Sequence, residues 1–180
     1  LCKSKDIKYN EIDYRDLDLD DERLPQKLVF PQIYSKNNEY IGGYFDLVEY
    51  LKPNAIVDMG CGTGDALEAL APFTKRLIGV DQSTEMLTLA EERLRYCNKK
   101  NQITFVHGNI VDVDIQEQVD VVLSMLVLHH LSDIDSVFEK IKTMLQKGGR
   151  FIVLDMQAHS QFELQRNMGH IHLGFERSFL

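Results

Sequence analysis

The stretch Ala55-Ile56-Val57-Asp58-Met59-Gly60-Cys61-Gly62-Thr63-Gly64-Asp65 decides how this chain folds. Ala55 to Met59 is a short apolar run interrupted only by Asp58, the pattern of a strand buried on both faces. It meets glycines at 60, 62 and 64, and a helix is expected from Asp65. A strand, a tight turn and a helix N-terminus together seat a nucleotide-like cofactor. Glycine carries no side chain, so a ligand can approach the backbone closely. The first helical N–H groups and the positive end of the helix dipole suit a carboxylate or a phosphate.

The spacing narrows the ligand. The dinucleotide fingerprint is Gly-x-Gly-x-x-Gly, and here Asp65 stands where its third glycine belongs. A carboxylate is a poor neighbour for a pyrophosphate. With Asp58 two residues before Gly60, the pattern Asp-x-Gly-x-Gly-x-Gly resembles the first motif of the class I S-adenosylmethionine-dependent methyltransferases. That cofactor has no phosphate. Its amino-acid end carries an ammonium that suits a carboxylate such as Asp58 and a carboxylate that suits backbone N–H groups. The resemblance makes Asp58, Gly60, Cys61, Gly62 and Gly64 cofactor-loop residues.

Composition sets the outer bounds. The chain has 180 residues, 44% of them hydrophobic, enough for one domain with a sizeable core. Its formal net charge of −8 argues against a nucleic-acid partner, which selects basic surfaces. The three cysteines, Cys2, Cys61 and Cys97, form neither a Cys-x-x-Cys nor a zinc pattern and point to a reducing compartment. No apolar run is long enough to span a membrane. With no signal peptide in view, a cytoplasmic protein is expected.

In chain order, residues 1–36 read as an N-terminal arm. Glu11 to Glu22 holds seven acidic residues and one Arg, the pattern of a solvated face. Tyr40, Ile41, Tyr44, Phe45, Val48 and Leu51 have helical spacing and open a core expected to run over residues 37–156. Further strands are expected at 76–80, 103–106, 119–123 and 150–155. Helices are expected at 65–70, at 84–97 capped by Ser83, and at 133–145 capped by Ser132 and stopped by Gly148. Strands alternate with helices, and the strands are continuously apolar. The fold class is therefore α/β, a Rossmann-like doubly wound parallel sheet. In such a sheet ligands bind at the C-terminal strand ends. Only 24 residues follow Met156, fewer than the family's remaining strands need. The last strands are expected to be missing, either because the chain, which begins with Leu1, is a fragment or because a homodimer covers the exposed edge.

The strand ends supply the other candidates. Asp81 follows the second strand of the core, where a carboxylate can accept from both ribose hydroxyls; it also fits a turn that caps the next helix. The resemblance puts Gln82 beside the adenine, Asn109 against its amino group and Ile110 on its ring; Asn109 equally fits a plain Asx turn. Met86, Ser124 and Met125 complete the cofactor set. Ser124-Met125-Leu126-Val127-Leu128-His129-His130-Leu131 starts where methyl group and acceptor should meet. His129 or His130 is the candidate general base, with packing at a helix start as the other reading. Metal-dependent methylation would want carboxylate ligands near these strand ends; Ser124 is not one, so no metal is expected. Residues 157–180 read as a lid or helical segment. Within them Gly169-His170-Ile171-His172-Leu173-Gly174-Phe175 resembles a segment of the methyltransferases of quinone biosynthesis and of those fused to ArsR-type regulators. His-x-His would form a metal pair only with a third ligand, for which His159 is the nearby candidate. The implied activity is transfer of a methyl group from S-adenosylmethionine to a small-molecule acceptor, leaving S-adenosylhomocysteine. A non-catalytic binding domain and a nicotinamide-dependent oxidoreductase are the alternatives.

Overall fold

A computed structural model describes residues 7–10, 32–35, 40–42, 52–97, 102–160 and 162–176. The chain divides into two units, residues 3–52 and residues 53–180. The first unit contains three antiparallel strands, β1 (Ile7–Asn10), β2 (Gln32–Ser35) and β3 (Tyr40–Gly42), in the order β1-β2-β3. Ile7 lies opposite Ser35, and Tyr34 opposite Tyr40. The helix expected from residue 37 is thus replaced at Tyr40–Gly42 by a strand. Aromatic and β-branched residues favour the pleat, and Gly42-Gly43 weakens a helix. The rest of that expected helix and the acidic segment lie outside the described residues. The break between units falls at 52–53 rather than at 36–37, because β3 pairs with β2.

The second unit is built on a five-stranded parallel sheet in the order β6-β5-β4-β7-β8. Its strands are β4 (Ala55–Met59), β5 (Arg76–Asp81), β6 (Ile103–His107), β7 (Val119–Met125) and β8 (Leu145–Leu154). This is the doubly wound α/β sheet read from the alternating pattern. Helices α1 (Asp65–Leu70), α2 (Thr84–Leu94) and α3 (Ile134–Met144) connect the strands, and α4 (Glu163–Met168) follows β8. The central strand β4 shows why: Ile56, Val57 and Met59 are fully buried, and Val57 is registered with Ile78 on one side and Val122 on the other. Each such side chain taken from water stabilises the sheet by about 1.5–3 kcal/mol before entropy is subtracted. Asp120 fixes the entry to β4 by accepting from the Asn54 and Ala55 amides at 2.9 and 2.8 Å.

The helices follow their sequence signals with three adjustments. Ser83 caps α2, accepting from the Met86 amide at 3.2 Å, and Leu87, Ala90 and Leu94 form its buried stripe, but Met86 is exposed. The cap of α3 is Asp133, not Ser132: its carboxylate accepts from the Ser136 amide at 3.0 Å. That helix buries Ile134, Val137, Ile141 and Met144 and ends at Met144, before Gly148, because Leu145 already enters β8. Gly148, at φ +85°, sits in the irregular opening of β8, where the register with β7 shifts between Val119 and Val121. Beyond Leu154 the chain turns back on itself. Phe175 is buried in the core, its amide donates to the Met156 carbonyl at 2.9 Å, and its own carbonyl accepts from the Ala158 amide at 3.1 Å. Among the described residues no helix is long and apolar enough to cross a membrane.

Candidate functional site

The order of the strands reverses between β4 and β7, and a crevice opens there beyond the C-terminal strand ends. A cleft of about 530 Å³ occupies it, a size suited to a small-molecule ligand. Gly60, Asp81, Gln82, Asn109, Ile110 and His130 line it, residues the sequence placed at three strand ends and one following turn.

The glycines act for different physical reasons. Gly60 takes φ +66°, and a Cβ added there would stand 2.5 Å from Val127 Cγ2, so the bare backbone lets the loop after β7 close over it. Gly62 takes φ +51° with open space around it, so its requirement is the turn alone. Gly64 packs on α2, where a Cβ would lie 3.1 Å from that of Ala90. Many of the loop's N–H groups are used inside the protein. The Gly60 and Cys61 amides donate to the Val80 carbonyl at 2.8 and 3.0 Å, and the Gly64 amide to the Cys61 carbonyl at 2.9 Å. The Gly62 amide donates to Asp81 Oδ2 at 2.9 Å. The loop is therefore rigid before any ligand arrives.

The carboxylates dominate the electrostatics. Asp58 is buried, and its Oδ2 has no hydrogen-bond partner among the described residues. Burial first, and then the charge of Asp81, push its pKa up from 3.8 to about 7. Asp81 accepts from the Ser83 amide through Oδ1 at 2.9 Å while Oδ2 holds Gly62, so it braces the loop as well as lining the cleft. Asp65 is turned the other way. It is exposed, accepts from Thr63 Oγ1 at 2.6 Å and pairs with Arg93 of α2; the Thr63 hydroxyl is the main cause that holds its carboxyl below the usual range. Asp65 therefore carries no argument against a pyrophosphate, and Asp81, 21 residues after Gly60, suits the ribose of either cofactor; the buried Asp58 carboxylate is what remains beside the loop.

Several expected site residues lie elsewhere. Cys61 is buried against β5, its thiol pushed far up by burial and by the charges of Asp58 and Asp81. Met86 is 41% exposed and outside the cleft. Ser124 and Met125 belong to β7, which runs two residues past the expected end because Ser124 and Met125 continue the ladder with Val153 and Leu154. Ser124 is fully buried, and its Oγ has no partner among the described residues. The turn that faces the cleft starts at Leu126, which takes φ +57°, and Leu126, Val127 and Leu131 line the cleft in place of Ser124 and Met125. Asn109 spends its Oδ1 on an Asx turn, accepting from the Val111 amide at 3.2 Å, and Ile110 is buried at the cleft wall.

The two histidines separate in role. His130 is exposed on the cleft, and its Nδ1 lies 3.2 Å from the Gly169 carbonyl. His129 is buried, with Nδ1 2.7 Å from Asp155 Oδ1. The Asp155 side chain is itself fully buried, and it also accepts from the Leu128 and Met156 amides at 2.9 and 2.8 Å. The sequence reading missed Asp155, which it placed only as the end of a strand. It also missed Met168 and Gly169, which line the cleft from the end of α4. The His-x-His pair of the tail diverges: His170 is buried beside His129, whereas His172 Nε2 turns to the Leu131 carbonyl at 2.9 Å.

Comparison with known proteins gives the same reading. Residues 57–153 match the family model described as a methyltransferase domain. A probable S-adenosylmethionine-dependent methyltransferase of Saccharomyces cerevisiae is 31% identical over 99 residues, 54% of this chain and 34% of that protein. Demethylmenaquinone methyltransferase of Porphyromonas gingivalis is 28% identical over 120 residues, 64% of this chain and 49% of that protein. The chain thus spans between a third and a half of these relatives. The crystal structure of YcgJ from Bacillus subtilis shares the fold at a TM-score of 0.64, covering 75% of this chain and 63% of that one at 20% identity. Glycine loop, sheet order and family model agree: the chain belongs to the methyltransferase domain family, among the class I S-adenosylmethionine-dependent methyltransferases.

Proposed function

We propose that the cleft between β4 and β7 binds S-adenosylmethionine and that the protein passes its methyl group to a small-molecule acceptor entering beside His130. One observation carries the reading: a single cleft is lined by Gly60, Asp81, Gln82, Asn109, Ile110 and His130. The donor set fits the cofactor. Asp58 Oδ2 is a buried carboxylate oxygen that lacks a partner among the described residues, and a cationic amino-acid end near it offsets a charge that burial otherwise makes costly. Asp81 keeps lone pairs for ribose hydroxyls while bracing Gly62.

When bound, S-adenosylmethionine supplies a methyl group already activated on sulfur, and S-adenosylhomocysteine is the product. The protein's task is then alignment and exclusion of water. Gly60, pressed under Val127, and the Leu126–Leu131 turn wall the cleft. A hydroxyl acceptor must also lose its proton; His130, exposed on the cleft, is the imidazole to receive it, with the buried His129 behind it. The Gly169 carbonyl orients His130, and Asp155 orients His129. A cytoplasmic setting suits the free thiols of Cys61 and Cys97. A homodimer through β8, an edge of the described sheet, is checked by sedimentation.

Calorimetry with S-adenosylhomocysteine and with NAD tests the cofactor. Binding of the former is expected; binding of NAD alone overturns the reading. Transfer of a labelled methyl group to a panel of small hydroxyl, amine and thiol acceptors tests catalysis. Cofactor binding with no transfer to any acceptor favours a non-catalytic binding domain.

A further inference from the structure

Five of the six histidines of the chain lie between residues 129 and 172, and the fold gathers three of them. His129, His130 and His170 each bring one ring nitrogen to within 4.8 Å of the others. Their ring centroids are 4.1, 4.3 and 5.0 Å apart. Two come from one turn after β7, and the third comes from the tail 40 residues later.

The hydrogen bonds around them select which nitrogens stay available. His129 Nδ1 is held by Asp155 and His130 Nδ1 by the Gly169 carbonyl. Both partners are pure acceptors, so both Nδ1 atoms carry the proton and both Nε2 atoms keep a lone pair. A carboxylate and a backbone carbonyl are the two partners that most often orient metal-ligating imidazoles. His170 is 4% exposed, and its Nδ1 is buried with no partner among the described residues. Such an orphan asks for a ligand. The tail is pinned where it delivers this ring: the Ile171 and His172 amides donate to the His129 carbonyl at 2.8 and 3.0 Å. His159, the third ligand the sequence offered, is not one of the three.

We propose that His129, His130 and His170 form a binding site for a divalent transition-metal ion of the zinc class. Three imidazoles with one open position match a three-ligand zinc site. Tetrahedral bonding at about 2.0–2.1 Å places ligand nitrogens roughly 3.3 Å apart, so the cluster must tighten by about 1.5 Å at its widest. His130, exposed on the cleft, is the ring free to make that movement. The open position then faces the cleft wall made by His130 and Gly169, where an oxygen of a small molecule can complete the coordination. The sequence reading expects no metal because Ser124 is no ligand; His129 and His130 stand in the turn after that same strand, β7, and offer the donors Ser124 lacks. The site shares His130 with the proposed methyl transfer, but its binding is measured with neither cofactor nor acceptor present.

The full chain, stripped with a chelator, is titrated with ZnCl₂ by calorimetry and with CoCl₂ by visible absorption. One ion per chain and the intense bands of tetrahedral cobalt are expected. His130→Ala, a change at an exposed side chain that keeps the fold, lowers zinc affinity at least tenfold. Asp155→Asn lowers it tenfold to a hundredfold through loss of orientation. A histidine ring ¹⁵N spectrum shows His129, His130 and His170 shifting on zinc addition while His107 stays still. No one-to-one uptake, an unchanged affinity in His130→Ala, or shifts confined to other histidines overturns the site. Loss of methyl transfer with zinc binding intact, or the reverse, tells failure of the proposed reaction from failure of this site.

Discussion

Asp155, at the end of β8, holds Nδ1 of His129, in the turn after β7, at 2.7 Å. Both side chains are withdrawn from solvent, and the same carboxylate carries the Leu128 and Met156 amides. One buried acceptor thus ties two neighbouring strand ends together behind the cleft.

Asp155→Ala leaves three donors without their acceptor, those of the buried Leu128 and His129 and of the half-buried Met156. An unfolding free energy lower by about 3 kcal/mol is expected, since each orphaned buried donor costs about 1–3 kcal/mol and some regain water. Asp155→Asn, which keeps one acceptor oxygen, should lose less. Urea titration of the two variants checks the order; equal losses would refute it.

Asp58 makes the protein sensitive to pH. Its pKa rises from 3.8 to about 7 on folding, so between those values the folded state holds a proton that the unfolded chain has released. Stability therefore falls as pH rises through this window, and the penalty is complete above pH 7. Binding runs the other way, because an ammonium needs the ionised carboxylate. S-adenosylhomocysteine affinity should rise about tenfold from pH 6 to pH 8, the change in ionised fraction for a pKa near 7. Asp58→Asn should flatten both profiles. Calorimetry in buffers of different ionisation heat detects the released proton, and a flat wild-type profile refutes the assignment.

Asp81→Ala removes a cleft carboxylate and the brace on Gly62 together. Affinity for S-adenosylhomocysteine should fall at least tenfold, about 1.4 kcal/mol. Removing its charge should also bring the Asp58 pKa down, which shifts the pH profile to lower values. Unchanged affinity would show that the ribose assignment is wrong.

Gly60→Ala and Gly62→Ala share a positive φ but differ in surroundings. Both pay about 1–2 kcal/mol for a left-handed non-glycine residue. Only Gly60→Ala adds the overlap with Val127 at 2.5 Å, expected to cost a further 1–3 kcal/mol or so. Val127→Ala in the Gly60→Ala background should recover that second part and leave the first, as measured by a double-mutant cycle.

Gly174→Ala tests the pinned tail. A Cβ there would stand 2.2 Å from the Gln157 carbonyl oxygen, at φ +77°. Backbone cannot yield as a side chain does, so residues 169–175 should come away from residues 156–159. Faster amide exchange at Ile171, His172 and Phe175, with β4 and β7 still protected, is the expected outcome.

The linear sequence determined the sheet. Runs such as Ile56-Val57 and Leu77-Ile78 have no stable place except between two neighbours, and alternating helices force the strands to be parallel. It also determined the glycine turn and the places of Asp81, Gln82, Asn109 and Ile110, because strand ends in such a sheet fall on one edge. Tertiary structure decided what depends on neighbours far away in sequence. Ser124 left the ligand edge because β8 offered hydrogen bonds two residues further. Asp65 turned to Arg93 on another helix. Asp155 found His129 across 26 residues, and His170 found His129 and His130 across about 40. Spacing along one element is legible as a periodicity. The meeting of two side chains on different elements is set only when the core has packed and the tail has closed over it.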